Sequence, residues 1–403
     1  MLLESYFPVV GGMEAQARNL TEGLHAQNIP VMIVTRRVTP DLPPYEVVNG
    51  IHTYRVPPAI RSPRARWLMI FSALPTLIRL RKDYDIILVP GFRTLGITAI
   101  LMGLIFKKKI VLKAENRGEM SGEFFSGGLK QIGLNPTSWL IRGLVGLRNR
   151  LLKKADALVS VSQEITHEYL SVGMPSERIH LIPQSANPLS FFPASLSEKE
   201  HMRERLNLPR SATIATYTGR LVSYKGLPLL MSVWKRLSPR FLSLVLLVVG
   251  AGGVDMFNYE ETLKKYITLN KLQGRVIMTG AVSNVGDFLR ASDLYVFPSE
   301  NEGQPLSVIE AMACGLPVVT TSVDGMRDMV VDHQNGLLVP PGDETRLETA
   351  LVELLTNQGL QQQLGQNALI AFRDSYTLDT VTKQYVTLFS QLTKLDRPSQ
   401  QSS

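Results

Sequence analysis

The chain has 403 residues, of which 44% are hydrophobic and 19% charged, a composition typical of a globular protein with two domains. No segment reaches the roughly 20 apolar residues that a membrane-spanning helix needs. The longest apolar run, residues 95–106, predicts a buried helix instead. The first residues include Glu4 and no basic run, so they do not resemble a secretory signal. The single cysteine, Cys314, excludes an internal disulfide, and we expect a cytoplasmic protein.

The formal net charge of +8 is concentrated in the N-terminal half of the chain. Residues 1–190 contain 23 Lys and Arg against 14 Asp and Glu, whereas the remainder contains 20 against 21. The excess lies in residues 61–67, 106–113 and 141–154. These clusters favour an anionic membrane surface or acceptor, or else ordinary solvated surface. Nucleic acid is disfavoured because no aromatic residues alternate with the basic ones, as a base-stacking surface would require.

Short β-branched runs alternate with helical patterns along the chain and predict twelve strands. In the first half they span residues 31–36, 51–57, 85–90, 109–115, 157–162 and 179–183. In the second half they span residues 213–219, 244–250, 276–280, 294–299, 317–322 and 336–340. Because most of these runs are apolar throughout, we expect parallel sheets covered by helices on both faces.

The predicted fold class is α/β, with two Rossmann-like doubly wound parallel sheets that face each other across a cleft. Residues 183–201 are rich in Pro, Ser and Asn, which indicates an interdomain linker. We predict an N-terminal domain over 1–185, a linker over 186–212 and a C-terminal domain over 213–375. After Pro340 only helical patterns follow, and a polar tail over 394–403 is expected to be disordered.

Two cations follow the strand predicted at residues 213–219. Arg220 and Lys225 lie on a loop bounded by Gly219 and Gly226. Ligands of doubly wound sheets bind beyond the carboxyl ends of the strands. Arginine offers a planar fork of donors and lysine a mobile point charge, a combination that suits a phosphate or diphosphate. The alternative is a pair of solvent-exposed charges, and the glycine spacing excludes a P-loop.

The stretch SENEGQPLSVIEAMACGLPVVTTS, residues 299–322, contains three acids, of which Glu302 and Glu310 are the candidate site residues, and a predicted helix over about 305–314. Pro305 suits the start of this helix, and a glycine followed by a proline suits its end. The N–H groups at the helix start favour an anion, whereas Glu302 and Glu310 would accept hydrogen bonds from the hydroxyls of a ribose or hexose. Together with the two cations, these features predict a sugar-nucleotide site. The alternatives are a surface position for Glu310 and helix-end electrostatics for Glu302.

Near the start of the chain, Gly11 and Gly12 precede a helix with Glu14 in its first turn. A loop without side chains allows a close approach of backbone to ligand, although Gly-Gly before a helix is also common. Residues 249–254 resemble a dinucleotide fingerprint, but their third glycine is misplaced. The six histidines show no metal-ligand spacing, so we expect neither a metal nor a bound cofactor.

Taken together, these motifs resemble the retaining glycosyltransferases of family 4, also called group 1, which have the two-domain GT-B fold. The resemblance covers nearly the whole chain and is clearest in its C-terminal half. The motifs there are GRLVSYKG, LLVVGAGG, VIMTGAV, FLRASDLYVFPS, ENEGQPLSVIEAMACGLPVVTTSVDG and NGLLVPPGD. The N-terminal half contributes FPVVGGME and a weaker KKADALVSVSQEI.

The resemblance implies a metal-independent, retaining enzyme that binds a nucleotide diphosphate sugar in its C-terminal domain. The donor would be a UDP-sugar or of the GDP-mannose type, and it serves as co-substrate. The acceptor, a sugar or lipid-linked molecule, would bind mainly to the N-terminal domain, in cell-envelope glycan synthesis. Two alternatives are a different enzyme on the same fold, such as a sugar-nucleotide epimerase, and a non-catalytic binding protein.

The resemblance also implies roles for individual residues. Arg220 and Lys225 would hold the diphosphate and stabilise its charge as it leaves. Glu302 would be the acid nearest the donor sugar, and Glu310 would hold the ribose diol. Gly12 would face the diphosphate from the other domain. The turn that presents backbone amides to phosphate and sugar corresponds to Gly303, Gln304, Leu306 and Ser307.

The chain departs from the family pattern mainly in its N-terminal half. The apolar run before FPVVGG is short, so we expect either an earlier start or a weakened sheet edge. Many members have a histidine after the strand that corresponds to residues 109–115, and this chain has none there. We expect Glu119 and Ser121, together with Glu14, to face the acceptor instead. By the same resemblance, a helix over 376–393 would cross back to the first domain.

Overall fold

The computed structural model divides the chain into two compact units. Its description covers residues 1–9, 11–60, 65–123, 138–253 and 257–394. The N-terminal unit comprises Met1–Gln184 together with the segment that begins at Leu378, and the C-terminal unit comprises Ser185–Thr377. No helix in these described ranges is long and apolar enough to cross a membrane.

The N-terminal unit contains two sheets. The first has the order β1-β3-β2, in which β1 and β3 are parallel and β2 is antiparallel; its strands are β1 (Met32–Arg36), β2 (Tyr45–Val48) and β3 (Ile51–Val56). The second is parallel throughout, in the order β4 (Ile86–Pro90), β5 (Lys109–Lys113), β6 (Ala157–Ser160) and β7 (Ile179–Leu181). The short antiparallel strand β2 was not predicted from the sequence.

Residues Met1–Leu3 join the two sheets through backbone hydrogen bonds. The amide of Leu2 donates to the carbonyl of Leu88 at 2.9 Å, and the amide of Leu3 donates to the carbonyl of Val34 at 3.1 Å. The segment therefore lies between β1 and β4 and makes the two sheets continuous.

Helices cover both faces of the parallel sheet, because its strands are apolar on both sides. One face is covered by α2 (Ala65–Arg79), α3 (Gly96–Phe106), α4 (Trp139–Leu152) and α5 (Gln163–Ser171). The other is covered by α1 (Gly12–Ala26) and α14 (Leu378–Lys394), the last helix of the chain. The segment from residue 95 to 106, predicted to be buried, is α3, whose outer side is exposed at Leu104 and Ile105.

The C-terminal unit is built on one six-stranded parallel sheet. Its order is β10-β9-β8-β11-β12-β13, so the strand order reverses between β8 and β11. The strands are β8 (Thr213–Thr218), β9 (Leu244–Val249), β10 (Val276–Gly280), β11 (Leu294–Phe297), β12 (Val318–Thr321) and β13 (Leu337–Val339). This is the doubly wound order in which ligands bind at the reversal point, beyond the carboxyl ends of the two central strands.

The helices of this unit begin with α6 (Leu196–Arg205), α7 (Leu227–Leu237), α8 (Glu260–Leu269) and α9 (Val285–Arg290). They continue with α10 (Leu306–Ala313), α11 (Asp324–Met329), α12 (Glu344–Thr356) and α13 (Gln358–Ser375). All twelve predicted strands are present in the structure, and the predicted α/β class with parallel sheets is confirmed.

The segment predicted to be a linker, residues 186–212, instead contains α6 and belongs to the C-terminal unit. Some of its polar residues form the N-terminal cap of α6. The Ser195 hydroxyl accepts a hydrogen bond from the amide of Glu198, whose carboxylate accepts one from the amide of Ser195. This capping box satisfies two amides that the helix leaves unpaired. The predicted tail lies outside the described residues from residue 395 onward.

Candidate functional site

The loop after β8 carries Arg220 and Lys225 and depends on glycine for its shape. It ends in a short 3-10 turn, Ser223–Lys225, followed by Gly226 at φ +78°. A Cβ at Gly226 would lie 1.8 Å from the carbonyl oxygen of Pro298, so the two loops approach too closely for any side chain. Glycine is therefore required here both for its backbone conformation and for space.

Backbone hydrogen bonds hold this loop against the chain that follows β9. The amide of Leu221 donates to the carbonyl of Ala251 at 3.1 Å, and the amide of Tyr259 donates to the carbonyl of Leu221 at 2.7 Å. The hydroxyl of Tyr217, buried in β8, donates to the carbonyl of Arg220 at 3.0 Å. The cations thus sit on a fixed backbone.

The loop after β11 places a buried carboxylate beside that lysine. Glu302 is 6% exposed, and Ser299, which is fully buried, donates its hydroxyl to Glu302 Oε1 at 2.8 Å. The Lys225 ammonium donates to the same oxygen and lies 5.4 Å from the centroid of the Phe297 ring. Since an unpaired buried carboxylate is costly, Lys225 and Ser299 together make the position of Glu302 possible.

Arg220 lies on the same loop with its guanidinium at the surface. It donates to the hydroxyl of Tyr224 at 2.8 Å. Tyr224 in turn packs edge-on against Phe257, with ring centroids 5.6 Å apart. An arginine fixed by a tyrosine loses less side-chain entropy when it binds an anion, because part of its freedom is already gone.

Helix α10 follows the second loop and carries the remaining predicted residues. The Ser307 side chain hydrogen-bonds the hydroxyl of Tyr295, which also meets the Thr218 hydroxyl at 3.1 Å. Burial raises the pKa of Tyr295 above its usual value despite these hydrogen bonds. Glu310 lies about one turn further along, half-buried. Burial, aided by the Glu310 charge, raises the pKa of the Cys314 thiol to about 12, so this thiol stays protonated.

The structure therefore places the predicted donor residues of the C-terminal unit on the two loops at the reversal point of its sheet and on the helix that follows, whereas Gly12 lies in the N-terminal unit. Lys225 and Glu302 are in direct contact, and Arg220 is on the loop that carries Lys225. The turn between Glu302 and α10 is buried at Gly303, Gln304 and Leu306. Helix α11 supports this turn from behind, because a Cβ at its Gly325 would lie 1.6 Å from the carbonyl oxygen of Gly303.

Comparisons with known proteins identify the family of the chain. The family model for glycosyl transferases group 1 matches residues 198–370, and the model for glycosyltransferase family 4 matches residues 10–188. This chain is a group 1, family 4 glycosyltransferase. An uncharacterised glycosyltransferase of Methanocaldococcus jannaschii is 25% identical to it over 390 residues, 94% of each chain.

Solved structures show the same fold as this glycosyltransferase. A sucrose-phosphate synthase of Thermosynechococcus elongatus superimposes with a TM-score of 0.80 at 24% identity, covering 98% of this chain and 99% of the other. HepE of Anabaena, in complex with UDP-glucose, superimposes with a TM-score of 0.75 at 17% identity, covering 97% and 99%. The predicted two-domain GT-B fold is therefore confirmed.

Two of the predicted residues in the N-terminal unit of the glycosyltransferase lie at the start of α1. Gly12 is the first helical residue, and no atom lies within 4 Å of the place a Cβ would occupy. Packing within the unit therefore does not explain a glycine here. Glu14 accepts a hydrogen bond from the Ser5 hydroxyl, which fixes its carboxylate beside the helix start.

The prediction that Glu119 faces an acceptor is corrected by its burial. Its side chain is fully buried and forms an ion pair with Arg93 at 2.9 Å. Burial raises the pKa of the Glu119 carboxyl to about 7, although the charge of Arg93 opposes the shift. Ser121, also predicted to face the acceptor, is half-buried, and its amide donates to Glu168 Oε1 at 2.8 Å.

The residues that organise this loop were missed in the sequence. Glu168 of α5 also accepts hydrogen bonds from the amides of Gly118 at 2.7 Å and Met120 at 3.1 Å. Arg148 of α4 donates to the carbonyl of Glu119 at 2.7 Å, and burial lowers the pKa of its guanidinium to about 10. Both lie about 30–50 residues from the loop along the chain, so no local sequence motif predicts their contacts with it. Ser299, by contrast, is the last residue of a predicted strand, next to the acid-containing loop, and could have been found.

The described part of the chain contains no group of three or more His, Cys, Asp or Glu side chains that could hold a metal ion. Positive charge at the predicted donor site comes from Arg220, Lys225 and the N-terminus of α10. Such a site can bind an anionic group at its centre and hydroxyl groups at Glu302 and Glu310.

Proposed function

We propose that this glycosyltransferase transfers a sugar from a nucleotide diphosphate sugar, a UDP-sugar or GDP-mannose type donor, to a sugar or lipid-linked acceptor. The contact between Lys225 and Glu302 at the reversal point of the C-terminal sheet is the observation that carries the proposal. It places a cation for a phosphate and an acceptor for sugar hydroxyls side by side. The UDP-glucose complex of HepE, a protein of the same fold, supports this class of donor.

The proposed mechanism relies on charge and position. Arg220 and Lys225 bind the diphosphate and stabilise the negative charge that grows on it as the bond to the sugar breaks. The helix start at Leu306 adds a positive end. Glu302 orients the sugar through its hydroxyls, and Glu310 holds the ribose diol. The leaving phosphate accepts the proton of the acceptor hydroxyl, and transfer occurs with retention and without a metal ion.

Lys225 must then serve two partners. In the structure it contacts Glu302 and packs over an aromatic ring. An ammonium group has three donors, so it can keep Glu302 in place while it binds a phosphate oxygen. The negative charge of Glu302 opposes the binding of a free diphosphate, and this cost is offset when the sugar of an intact donor meets the carboxylate.

The acceptor side is proposed to lie in the N-terminal unit and to serve cell-envelope glycan synthesis. Residues 1–190 contain nine more basic than acidic residues, which supports an anionic or lipid-linked acceptor and peripheral contact with an anionic membrane. A sugar-nucleotide epimerase on the same fold is the second candidate, since its carboxylates would act on the sugar itself.

The test is a transfer assay with a panel of UDP-sugars and GDP-mannose, each with and without sugar and lipid-linked acceptors. We expect acceptor-dependent release of the nucleotide, a product that retains the anomeric configuration by NMR, and unchanged rates in EDTA. Glu310→Ala should lose at least about a hundredfold in kcat/KM. The matched control, Glu261→Ala on the exposed side of α8, should stay near wild type.

Two results would overturn the proposal. Equal activity of Glu310→Ala and Glu261→Ala would remove the site assignment. Conversion of the donor sugar without any transfer to an acceptor would favour the epimerase instead.

A further inference from the structure

Three adjacent helices of the N-terminal unit expose a large amount of apolar surface. α3 packs against α2 on one side and α4 on the other, and all three cover the same face of the parallel sheet. Of the 24 large apolar side chains that are exposed among the described residues, ten lie on these helices. We call this set the apolar face. Its members are Trp67, Leu68, Phe71, Ile78, Leu101, Leu104, Ile105, Trp139, Leu144 and Leu147.

The three helices bury apolar residues of one side in the core of the N-terminal unit and expose further apolar residues on the opposite side, which form the apolar face. On α3, Leu101, Leu104 and Ile105 point outward, whereas Ile100 and Met102 are buried. On α2, Phe71 and Ile78 are exposed, whereas Met69, Ala73 and Leu77 are buried. Contiguous exposed apolar surface of this kind marks an interaction site.

The three helices of the apolar face carry charges of one sign. The sequences of α2, α3 and α4 contain no Asp or Glu. Exposed cations lie at Arg142 and Arg150 of α4 and, just beyond the helix ends, at Lys107, Lys153 and Lys154. Helices that are apolar and basic, without acids of their own, complement an anionic surface with an apolar interior.

Ion pairs in the structure neutralise part of the basic charge that the sequence shows in this region. Lys108 pairs with Asp85 at 3.8 Å, and Lys109 pairs with Asp156 at 3.5 Å. Only Lys107 of that cluster is exposed. In the predicted cluster at 61–67, the first four residues lie outside the described part of the chain. Charge attraction by the cluster at 106–113 is therefore weaker than its composition indicates.

We propose that the apolar face inserts into the interfacial layer of an anionic lipid bilayer, with its arginines on the headgroups. This deepens the membrane contact proposed above, from attraction between charges to shallow insertion, and it rests on that proposal but not on the chemistry of the donor site. Trp67 lies in the first turn of α2, Trp139 begins α4, and both belong to a residue type enriched at membrane interfaces. A second copy of the chain is the weaker occupant, because two acid-free basic faces repel each other.

The experiment exploits the three tryptophans of the chain. Trp67 is 48% exposed and Trp139 is 79% exposed, whereas Trp234 is fully buried in the C-terminal unit and serves as an internal reference. Full-length protein is mixed with phosphatidylcholine vesicles, with or without about one third phosphatidylglycerol, that carry brominated acyl chains. We expect fluorescence quenching on the anionic vesicles, and loss of that quenching in the double variant Trp67→Phe, Trp139→Phe.

Binding itself is measured by vesicle flotation without any donor. Phe71→Ser and Leu144→Ser should each weaken binding about tenfold, since each removes one inserted apolar side chain. The matched control is Leu269→Ser, which removes a side chain of the C-terminal unit that is 82% exposed. Arg142→Glu with Arg150→Glu should weaken binding to anionic vesicles only.

Each variant is first checked for nucleotide binding by the C-terminal unit and for an unchanged circular dichroism spectrum, so that misfolding is not mistaken for lost docking. Equal flotation of Leu144→Ser and Leu269→Ser, or binding without quenching, would overturn the insertion. A dimer in sedimentation that Leu144→Ser dissociates would assign the face to a second copy and also overturn it. If the wild type shows fluorescence quenching on anionic vesicles but no glycosyl transfer, only the proposed function is contradicted.

Discussion

The loop after β8 and the loop after β5 occupy equivalent places in two parallel sheets but use their charges differently. After β8, Arg220 lies at the surface, and the buried Glu302 of the neighbouring loop is reached by Lys225. After β5, Glu119 is fully buried and turned toward Arg93. The ends of the predicted strands thus indicate which loops contain the charged residues. Whether they meet a ligand or secure their own loop depends on partners supplied by distant parts of the chain.

The same contrast appears in two glycines, and the first prediction separates them. Gly226→Ala places a Cβ against the Pro298 carbonyl at φ +78° and should cost about 4 kcal/mol of the free energy of unfolding. Gly12→Ala meets nothing within 4 Å and should cost less than about 1 kcal/mol. Urea unfolding monitored by circular dichroism measures both. If Gly226→Ala is as stable as Gly12→Ala, the close approach of the two loops is wrong.

The second prediction sharpens the structural role of Glu119. Its pKa of about 7 in the folded state lies above the ordinary value of 4.5, so folding favours the protonated form. The stability that this group contributes is therefore full below pH 4.5 and is lost as the pH rises through 7. We expect wild type to lose up to about 3 kcal/mol relative to Glu119→Gln between pH 5 and pH 8. Parallel stability curves for the two proteins would contradict this.

The positions of the candidate donor residues in the fold could be predicted from the sequence because they depend on local elements. Arg220, Lys225 and Glu302 lie in the loops that follow two strands, Glu310 lies in the helix after the second loop, and the strands were visible as apolar runs. Sequence reasoning failed where the partner is remote, as with Glu168, whose carboxylate caps three amides of a loop about 50 residues away. It also took residues 186–212 for a linker, because a capping box has the same Ser-rich composition as a loop.

The third prediction concerns Ser299, which positions Glu302 without meeting the substrate. Ser299→Ala removes the hydroxyl that donates to Glu302 at 2.8 Å but leaves Lys225 in place. We expect about a tenfold loss in kcat with little change in the Kd for a free nucleotide diphosphate, since only the sugar depends on Glu302. Ser299→Thr, which keeps the hydroxyl, is the matched control. Equal loss of nucleotide affinity in Ser299→Ala would mean that the substitution disturbs the whole loop.

Calorimetry of nucleotide binding tests the central claim, that the loops after β8 and β11 bind a diphosphate through Lys225. Wild type should bind UDP or GDP, and Lys225→Ala should bind it about a hundredfold more weakly. Lys235→Ala, an exposed lysine one helix further along, should bind as wild type does. The same Kd for both variants would contradict the account, and so would the absence of nucleotide binding by the wild type.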